Sequence, residues 1–276
     1  MNDSKKRNLI IILSVAALLL VGVLLSETYK RSMERALRVQ ISSYALKNEA
    51  AAVKIRAEMN TLKASADAYD AHRAELSERM TKYLTDYNKA LLTLVNPSHA
   101  LPPDYAPHLV RLDDKYLIDR RCAAELIRMI DDCRAAGNHP VLCSAYRTQE
   151  YQQELYDNKI KRLLAAGYSL DDAPGIAAQS VAPPGTSEHQ LGLAVDIIDE
   201  YNVNLDESQE RTGTQKWLMA NCTDYGFILR YPNGSSEITG IIYEPWHYRY
   251  VGKAIAKEIT ERGVTLEEYL QFPGGT

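Results

Sequence analysis

From Glu27 to Asn96 the chain contains neither glycine nor proline, and Ala, Glu, Lys, Arg and Leu dominate its composition. Such a stretch lacks both residues that interrupt a helix, so it folds as one long helical region or as a helical hairpin. Ile41, Asn48, Ile55, Leu62, Tyr69, Leu76, Tyr83 and Ala90 fall on one heptad position. Ala45, Ala52, Met59, Ala66, Arg73, Met80, Tyr87 and Leu94 fall on the other, and only Asn48 and Arg73 break the seam. This pattern predicts a coiled-coil stalk and a homo-oligomer formed through it. The alanine-rich first half buries little, so association is modest unless a membrane anchor concentrates the chains. As a single helix the stretch would span roughly 100 Å; the alternative is an arm folded back on the rest of the molecule.

Before this region, Lys5-Lys6-Arg7 is followed by an uncharged run from Asn8 to Ser26 that is rich in Leu, Ile, Val and Ala. As a helix it is long enough to cross a bilayer core of about 30 Å. A cleaved signal peptide begins in the same way, but no A-x-A-like site follows the run, which favours an uncleaved transmembrane anchor. The basic start predicts a cytoplasmic N-terminus, although Arg31, Arg35 and Arg38 on the far side oppose that orientation. After the helical region, Asn96, Pro97, Pro102, Pro103 and Pro107 end the pattern. The expected organisation is therefore an anchor over residues 1–26, a helical stalk over 27–95 and a folded domain over 96–276.

Within that last part, mixed elements predict an α+β fold with a small, largely antiparallel sheet flanked by helices. Helices are expected over Asp119 to Ala136, with Gly137 as the stop, Gln149 to Leu164, Gly213 to Tyr225 and Lys253 to Arg262. Short strands are expected at Val141, Leu193, Ile228, Ile241 and His247, and the interval Asp171 to Gly185 reads as a loop at a cleft edge. The net charge of −4 provides no basic field, which excludes a nucleic-acid partner.

Two segments carry the chemistry: Ser187-Glu188-His189-Gln190-Leu191-Gly192-Leu193-Ala194-Val195-Asp196 and Glu244-Pro245-Trp246-His247. His189, Asp196 and His247 offer three ligands for zinc and leave a fourth tetrahedral position open, as catalytic sites require. Glu244 is placed to act as the base. In an extended strand Gly192, Ala194 and Asp196 share a face, while Leu191, Leu193, Val195 and Ile197 face the core. Glu244 and His247 would point to opposite faces of a regular strand, so one site uses both only if the backbone breaks, and Pro245 provides the break. Arg147 follows the short apolar run Pro140 to Cys143, and its planar guanidinium can grip a terminal carboxylate or face an oxyanion. Trp246, Tyr248 and Tyr250 alternate out of phase with His247 and Arg249 and read as core or cleft lining.

These segments match the SxHxxGxAxD and ExxH signatures, and the sequence resembles the VanY-type zinc D-Ala-D-Ala carboxypeptidases. The likeness extends to Cys143-Ser144-Ala145-Tyr146-Arg147-Thr148 with Gln152, to Gly226 through Pro232, and to Ile238-Thr239-Gly240. It implies a fold of the D-Ala-D-Ala carboxypeptidase/hedgehog kind. It also implies Zn2+ on His189, Asp196 and His247, Glu244 as catalytic base, and Arg147, Gln152, Ser187 and Tyr231 as substrate-binding positions. The chain departs from the common SGYRS pattern at Ala145 and Thr148, and Asn233-Gly234-Ser235-Ser236 replaces the basic residues that often follow the Tyr-Pro pair. The implied substrates are peptidoglycan stem peptides, either D,D-linked pentapeptides or, for an L,D-carboxypeptidase, tetrapeptides. A non-catalytic peptidoglycan-binding scaffold is the alternative of another class. Such substrates imply a cell-membrane protein whose catalytic domain lies on the cell-wall side. In that oxidising setting Cys133 is expected to pair with Cys143, since a helix end and the following strand can lie side by side, leaving Cys122 with Cys222; in a reducing one all four are thiols.

Overall fold

The computed structural model describes residues 3–45 and 49–271, with the side chains of 3–16, 19, 44, 45 and 50 left outside the description. The chain divides into two compact units, Asn2–Asp86 and Tyr87–Thr276, the latter together with Met1.

The N-terminal unit is a helical hairpin. Helix α1 runs over Asp3–Ala45 and α2 over Glu49–Leu91, the last turn of α2 belonging to the second unit. Lys30 Nζ meets Asp70 Oδ2 at 2.8 Å, across forty positions of sequence, so the helices run antiparallel. The continuous rod is thus replaced by the hairpin alternative. Within one chain the heptad seam is left largely open, since Leu62, Tyr69, Met80 and Tyr83 remain 41–59 % exposed. Among the described residues no helix is long and apolar enough to cross a membrane. Much of the run from Asn8 to Ser26 lies outside the described side chains, and α1 carries Glu27, Lys30, Arg31, Glu34, Arg35 and Arg38 beyond it. The expected transmembrane anchor is therefore without structural support.

The second unit opens with a two-stranded hairpin, β1 (Leu109–Arg111) and β2 (Leu117–Asp119), followed by α3 (Arg120–Ala135). The Asp119 carboxylate accepts from Arg121 N–H and caps α3; Gly137, at φ 84°, follows its end. Then come β3 (Pro140–Ser144), α4 (Gln149–Ala165), α5 (Ala173–Ala178), β4 (Ala194–Asp199), α6 (Gly213–Asn221), β5 (Phe227–Leu229), α7 (Ser236–Thr239), β6 (His247–Tyr250), α8 (Lys253–Arg262) and α9 (Leu266–Gln271). The larger sheet has the order β3-β4-β6-β5, with every pairing antiparallel. The α+β expectation holds for this unit.

Cys122, Leu126, Met129 and Cys133, on one face of α3, are buried against Leu193, Val195 and Ile197 of the segment leading into and along β4. Each such aliphatic side chain contributes about 2 kcal/mol of burial. Ile241, expected in a strand, instead follows the short helix α7. Gly240 at φ 76° turns the chain there, and Ile242 N–H donates to Gln179 O at 2.8 Å. That bond also ties down the interval from Asp171 to Gly185, which carries α5 and is held again where Gln152 donates to Ala182 O at 2.7 Å. The expected disulfides are not formed. Cys133 and Cys143 are both thiols, Cys122 Sγ donates to Asp119 O at 3.2 Å, and Cys222 is a buried thiol. Helix α3 and strand β3 hold their cysteines in separate surroundings: Cys133 packs into the core, while the half-buried Cys143 turns its Sγ toward Asp196 O at 3.4 Å.

Candidate active site

The site lies on two neighbouring strands and the turns that enter them. Asp196 and His247 are direct partners across β4 and β6, so the pleat sends both side chains to the same face. His247 Nδ1 lies 3.1 Å from Asp196 Oδ1. His189 arrives from a one-turn 3-10 helix, Glu188–Leu191, and its Nε2 stands 3.2 Å from Asp196 Oδ2. Ligand atoms from the three residues all lie within 4.8 Å of one another, and all three residues are buried.

The glycine in the first segment has a different task from the one its alternation implied. Gly192 is not in the strand; it ends the 3-10 turn at φ 71°, and a Cβ there would meet Asp119 N and Leu109 Cδ2 at 3.1 Å. The turn lets His189 fold back over the start of β4. Pro245 supplies the expected break at the other segment: His247 N–H donates to Glu244 O at 3.1 Å, closing a turn just before β6. Glu244 Oε2 thereby comes within 3.7 Å of His247 Nδ1.

The donor set fits a divalent cation. His189 Nδ1 is 2.7 Å from Ala145 O, an acceptor only, so Nδ1 carries the proton and the Nε2 lone pair faces Asp196. Burial, then Arg147, hold the His189 pKa down to about 4 against the pull of Asp196. Burial alone would lower His247, but its hydrogen bonds to Asp196 and Glu188 lift it to about 9, so a proton and a metal compete for Nδ1. Asp196 is pulled well below the usual carboxylate range: burial opposes this, but His189, His247 and Arg147 prevail. Glu244 is pushed up to about 8, chiefly by burial, with Asp196 and Glu188 adding to it and His247 and Arg147 opposing. A cation on the three donors acts on Glu244 in the opposite direction.

The substrate-binding candidates gather here too. A bulge between Leu142 and Ser144 brings Ser144 opposite Asp196, and the chain leaves β3 toward Arg147. Arg147 Nη2 reaches Asp196 Oδ2 at 2.7 Å, its Nε donates to Ser144 Oγ at 2.9 Å, and its Nη1 donates to Gln152 Oε1 at 3.4 Å. Gln152 is fully buried and touches Arg147 rather than facing the cleft. Ser187 and Tyr231 line the cleft, and the Tyr231 ring lies 4.8 Å from that of His247. The cleft encloses about 340 Å3 and also includes Trp246, His189, Asp196, Glu244 and His247 in its lining. Tyr248 and Tyr250 join the core instead.

Glu188 is the residue that sequence reasoning passed over. It is buried, its Oε1 accepts from Arg230 Nε at 2.7 Å and Arg249 Nη1 at 2.8 Å, and its Oε2 faces His247 Nε2 at 3.5 Å. Burial raises its pKa, yet Arg230 and Arg249 outweigh this and keep the carboxyl ionised. Arg230 also forks onto Glu267, and Arg249 Nη2 donates to Leu91 O and Thr93 O. Two anions and two cations thus cancel behind the metal candidates. The available signal was periodicity: Arg249 shares a strand face with His247, and a glutamate next to a ligand histidine must enter the same interior.

A family model described as VanY, D-alanyl-D-alanine carboxypeptidase, matches residues 115–253, which include His189, Asp196, Glu244, His247 and the four substrate-binding candidates. The chain belongs to this family. It is 45 % identical over 181 residues to a D-alanyl-D-alanine carboxypeptidase of Enterococcus faecalis, and the match spans 65 % of each chain. A crystal structure of a mutant vancomycin-resistance D,D-pentapeptidase VanY, from a VanB-type cassette and in complex with Zn(II), is 43 % identical. It superposes with a TM-score of 0.61, covering 66 % of this chain and 99 % of that one. The LdcB LD-carboxypeptidase, whose structure is described with peptidoglycan recognition, is 37 % identical with a TM-score of 0.58, covering 67 % and 87 %. One of these similar structures is thus a zinc complex, and the two are described as a D,D-pentapeptidase and an LD-carboxypeptidase.

Proposed function

We propose that this VanY-family chain is a zinc-dependent carboxypeptidase that removes the C-terminal D-alanine from peptidoglycan stem peptides. The observation that carries this reading is the meeting of His189 Nε2, Asp196 and His247 Nδ1 within 4.8 Å, with Glu244 Oε2 3.7 Å from the last of them. His189, Asp196 and His247 would hold the zinc, which supplies Lewis-acid polarisation of the scissile carbonyl and makes water more acidic. Glu244 takes the proton of the attacking water and returns it to the leaving amine. Its burial beside the ligands argues against a scaffold that only binds, since binding needs no base there. Arg147 binds the free terminal carboxylate through its guanidinium, exchanging part of its contact with Asp196 for the substrate. Tyr231 and Ser187 form the adjoining cleft walls, and Gln152 positions Arg147.

A D,D-linked pentapeptide is the first substrate on this reading, supported by the likeness to the VanY pentapeptidase. An L,D-linked tetrapeptide presents the same D-alanine carboxylate, and the likeness to LdcB supports that second reading. Either substrate places the catalytic unit on the cell-wall side of the membrane. The apolar run from Asn8 to Ser26 behind Lys5-Lys6-Arg7 supports an anchor there, and the exposed seam of the hairpin supports self-association. The test is incubation of the purified protein with synthetic pentapeptide and tetrapeptide stems, with and without a chelator, read by mass. Loss of one D-alanine that stops with chelator is the expected result; intact peptides at full zinc occupancy would overturn the reading.

A further inference from the structure

We infer that Lys159 and Arg162 form a subsite for a carboxylate on the third or fourth residue of the substrate peptide, counted from its C-terminus. The inference rests on the carboxypeptidase reading and extends it to what the enzyme selects. Gln152, Leu155, Lys159 and Arg162 follow the i, i+3, i+7, i+10 spacing of one helical face of α4. Leu155, Lys159 and Arg162 line the same cleft as the metal candidates. Gln152 marks the inner end of that face, where it holds Arg147.

The charges on this wall are unanswered. Among the described residues neither Lys159 nor Arg162 has an ion-pair partner. Arg162 Nε donates to Asn158 O at 3.3 Å, and its terminal amino groups meet no carboxylate among the described residues. Of the acidic groups deeper in the cleft, Glu188 is taken by Arg230 and Arg249, Asp196 by the histidines and Arg147, and Glu244 lies against His247. The same cleft is also lined by the apolar Val181, Leu205, Ile241 and Ile242. A cleft lined by these cations together with apolar side chains suits a peptide that carries a free carboxylate.

The helix sets the distance. At about 1.5 Å per residue, Lys159 and Arg162 lie roughly 10 and 15 Å along α4 from Gln152. An extended peptide advances about 3.5 Å per residue, so a chain whose terminal carboxylate sits at Arg147 brings its third or fourth residue to these cations. A carboxylate there gains charge-assisted hydrogen bonds at a half-open site, which is worth roughly tenfold in affinity.

The experiment uses the zinc-loaded protein and matched pentapeptides and tetrapeptides that differ only in a carboxylate or a carboxamide at the third or the fourth residue from the C-terminus. The wild type is expected to show a roughly tenfold higher kcat/KM for the acid form at one of these positions, expressed in KM and fading as salt is added. In the double variant Lys159→Gln/Arg162→Gln the acid and amide forms are expected to converge. Thermal unfolding of that variant verifies that the fold is kept. Equal rates for acid and amide in the wild type, or a preference that survives in the double variant, would overturn the subsite while leaving the carboxypeptidase reading intact. Failure of the wild type to cleave any of the peptides would overturn that reading, and the subsite with it.

Discussion

His247 Nε2 and Glu188 Oε2 face one another at 3.5 Å in the interior, and neither atom completes a hydrogen bond with any other group of the described residues. Glu188 orients the imidazole from behind, leaving Nδ1 toward Asp196 and His189. Replacing Glu188 with Gln keeps its volume and removes its charge. Zinc affinity is expected to fall by about 10- to 100-fold. Glu267→Gln removes a buried charge from the same network at a site without contact to His247, so it should lower stability and leave zinc affinity near that of the wild type. Metal titration of both variants, beside their unfolding midpoints, separates the two roles.

Glu244 and His189 are predicted to fail differently. Glu244→Ala leaves the three ligand candidates in place, so zinc content should stay stoichiometric while turnover drops by at least about 100-fold. His189→Ala removes a ligand and should lose both metal and turnover. Metal analysis beside a turnover assay checks the pair, and the reverse pattern would remove Glu244 from the role of base.

Arg147→Ala should weaken processing of peptides with a free C-terminal carboxylate by about tenfold or more, because a guanidinium clamp on that group is lost. The corresponding amidated peptides should be nearly insensitive to the substitution. Initial rates on the two peptide sets decide the matter; an equal loss on both would assign Arg147 to the oxyanion or to Asp196 instead.

At Gly192, substitution by Ala forces a side chain into φ 71° and against Asp119 N and Leu109 Cδ2. A loss above about 1 kcal/mol is expected from the backbone conformation alone. Since the turn carries His189, zinc affinity should fall with it. Denaturant unfolding and metal titration report the two effects, and unchanged midpoints would show that the turn tolerates a Cβ.

The thiols should be slow to react in the native protein. Burial pushes Cys133 up to about 11 and both Cys143 and Cys222 up to about 12, so little thiolate is present at neutral pH. Mass measurement after alkylation should show these three positions largely unmodified before unfolding and modified after it.

The two motif segments disclosed the ligand candidates because their chemistry requires particular residue types at short spacing, and a strand or a turn enforces such spacing locally. Helix α3 was legible for a similar reason: Asp119 at its start and Gly137 after its end are local signals. Ile241 misled because an apolar, β-branched residue looks the same in a strand and in a buried loop after a short helix. The disulfide expectation rested on a helix end lying beside the following strand, but Cys133 is a thiol in the core and Cys143 a half-buried thiol turned toward Asp196 O.

Sequence by itself disclosed the family, the three ligand candidates, the candidate base and the break at Pro245, since each is a matter of residue identity within a few positions. Tertiary structure alone decided that the Glu27–Asn96 region folds back as a hairpin, that Gly192 serves a turn, and that Glu188 stands behind His247. It also decided that the cations of α4 share a cleft with the metal candidates. These are relationships between segments far apart along the chain, set by strand register, burial and charge balance in three dimensions, and no local spacing encodes them.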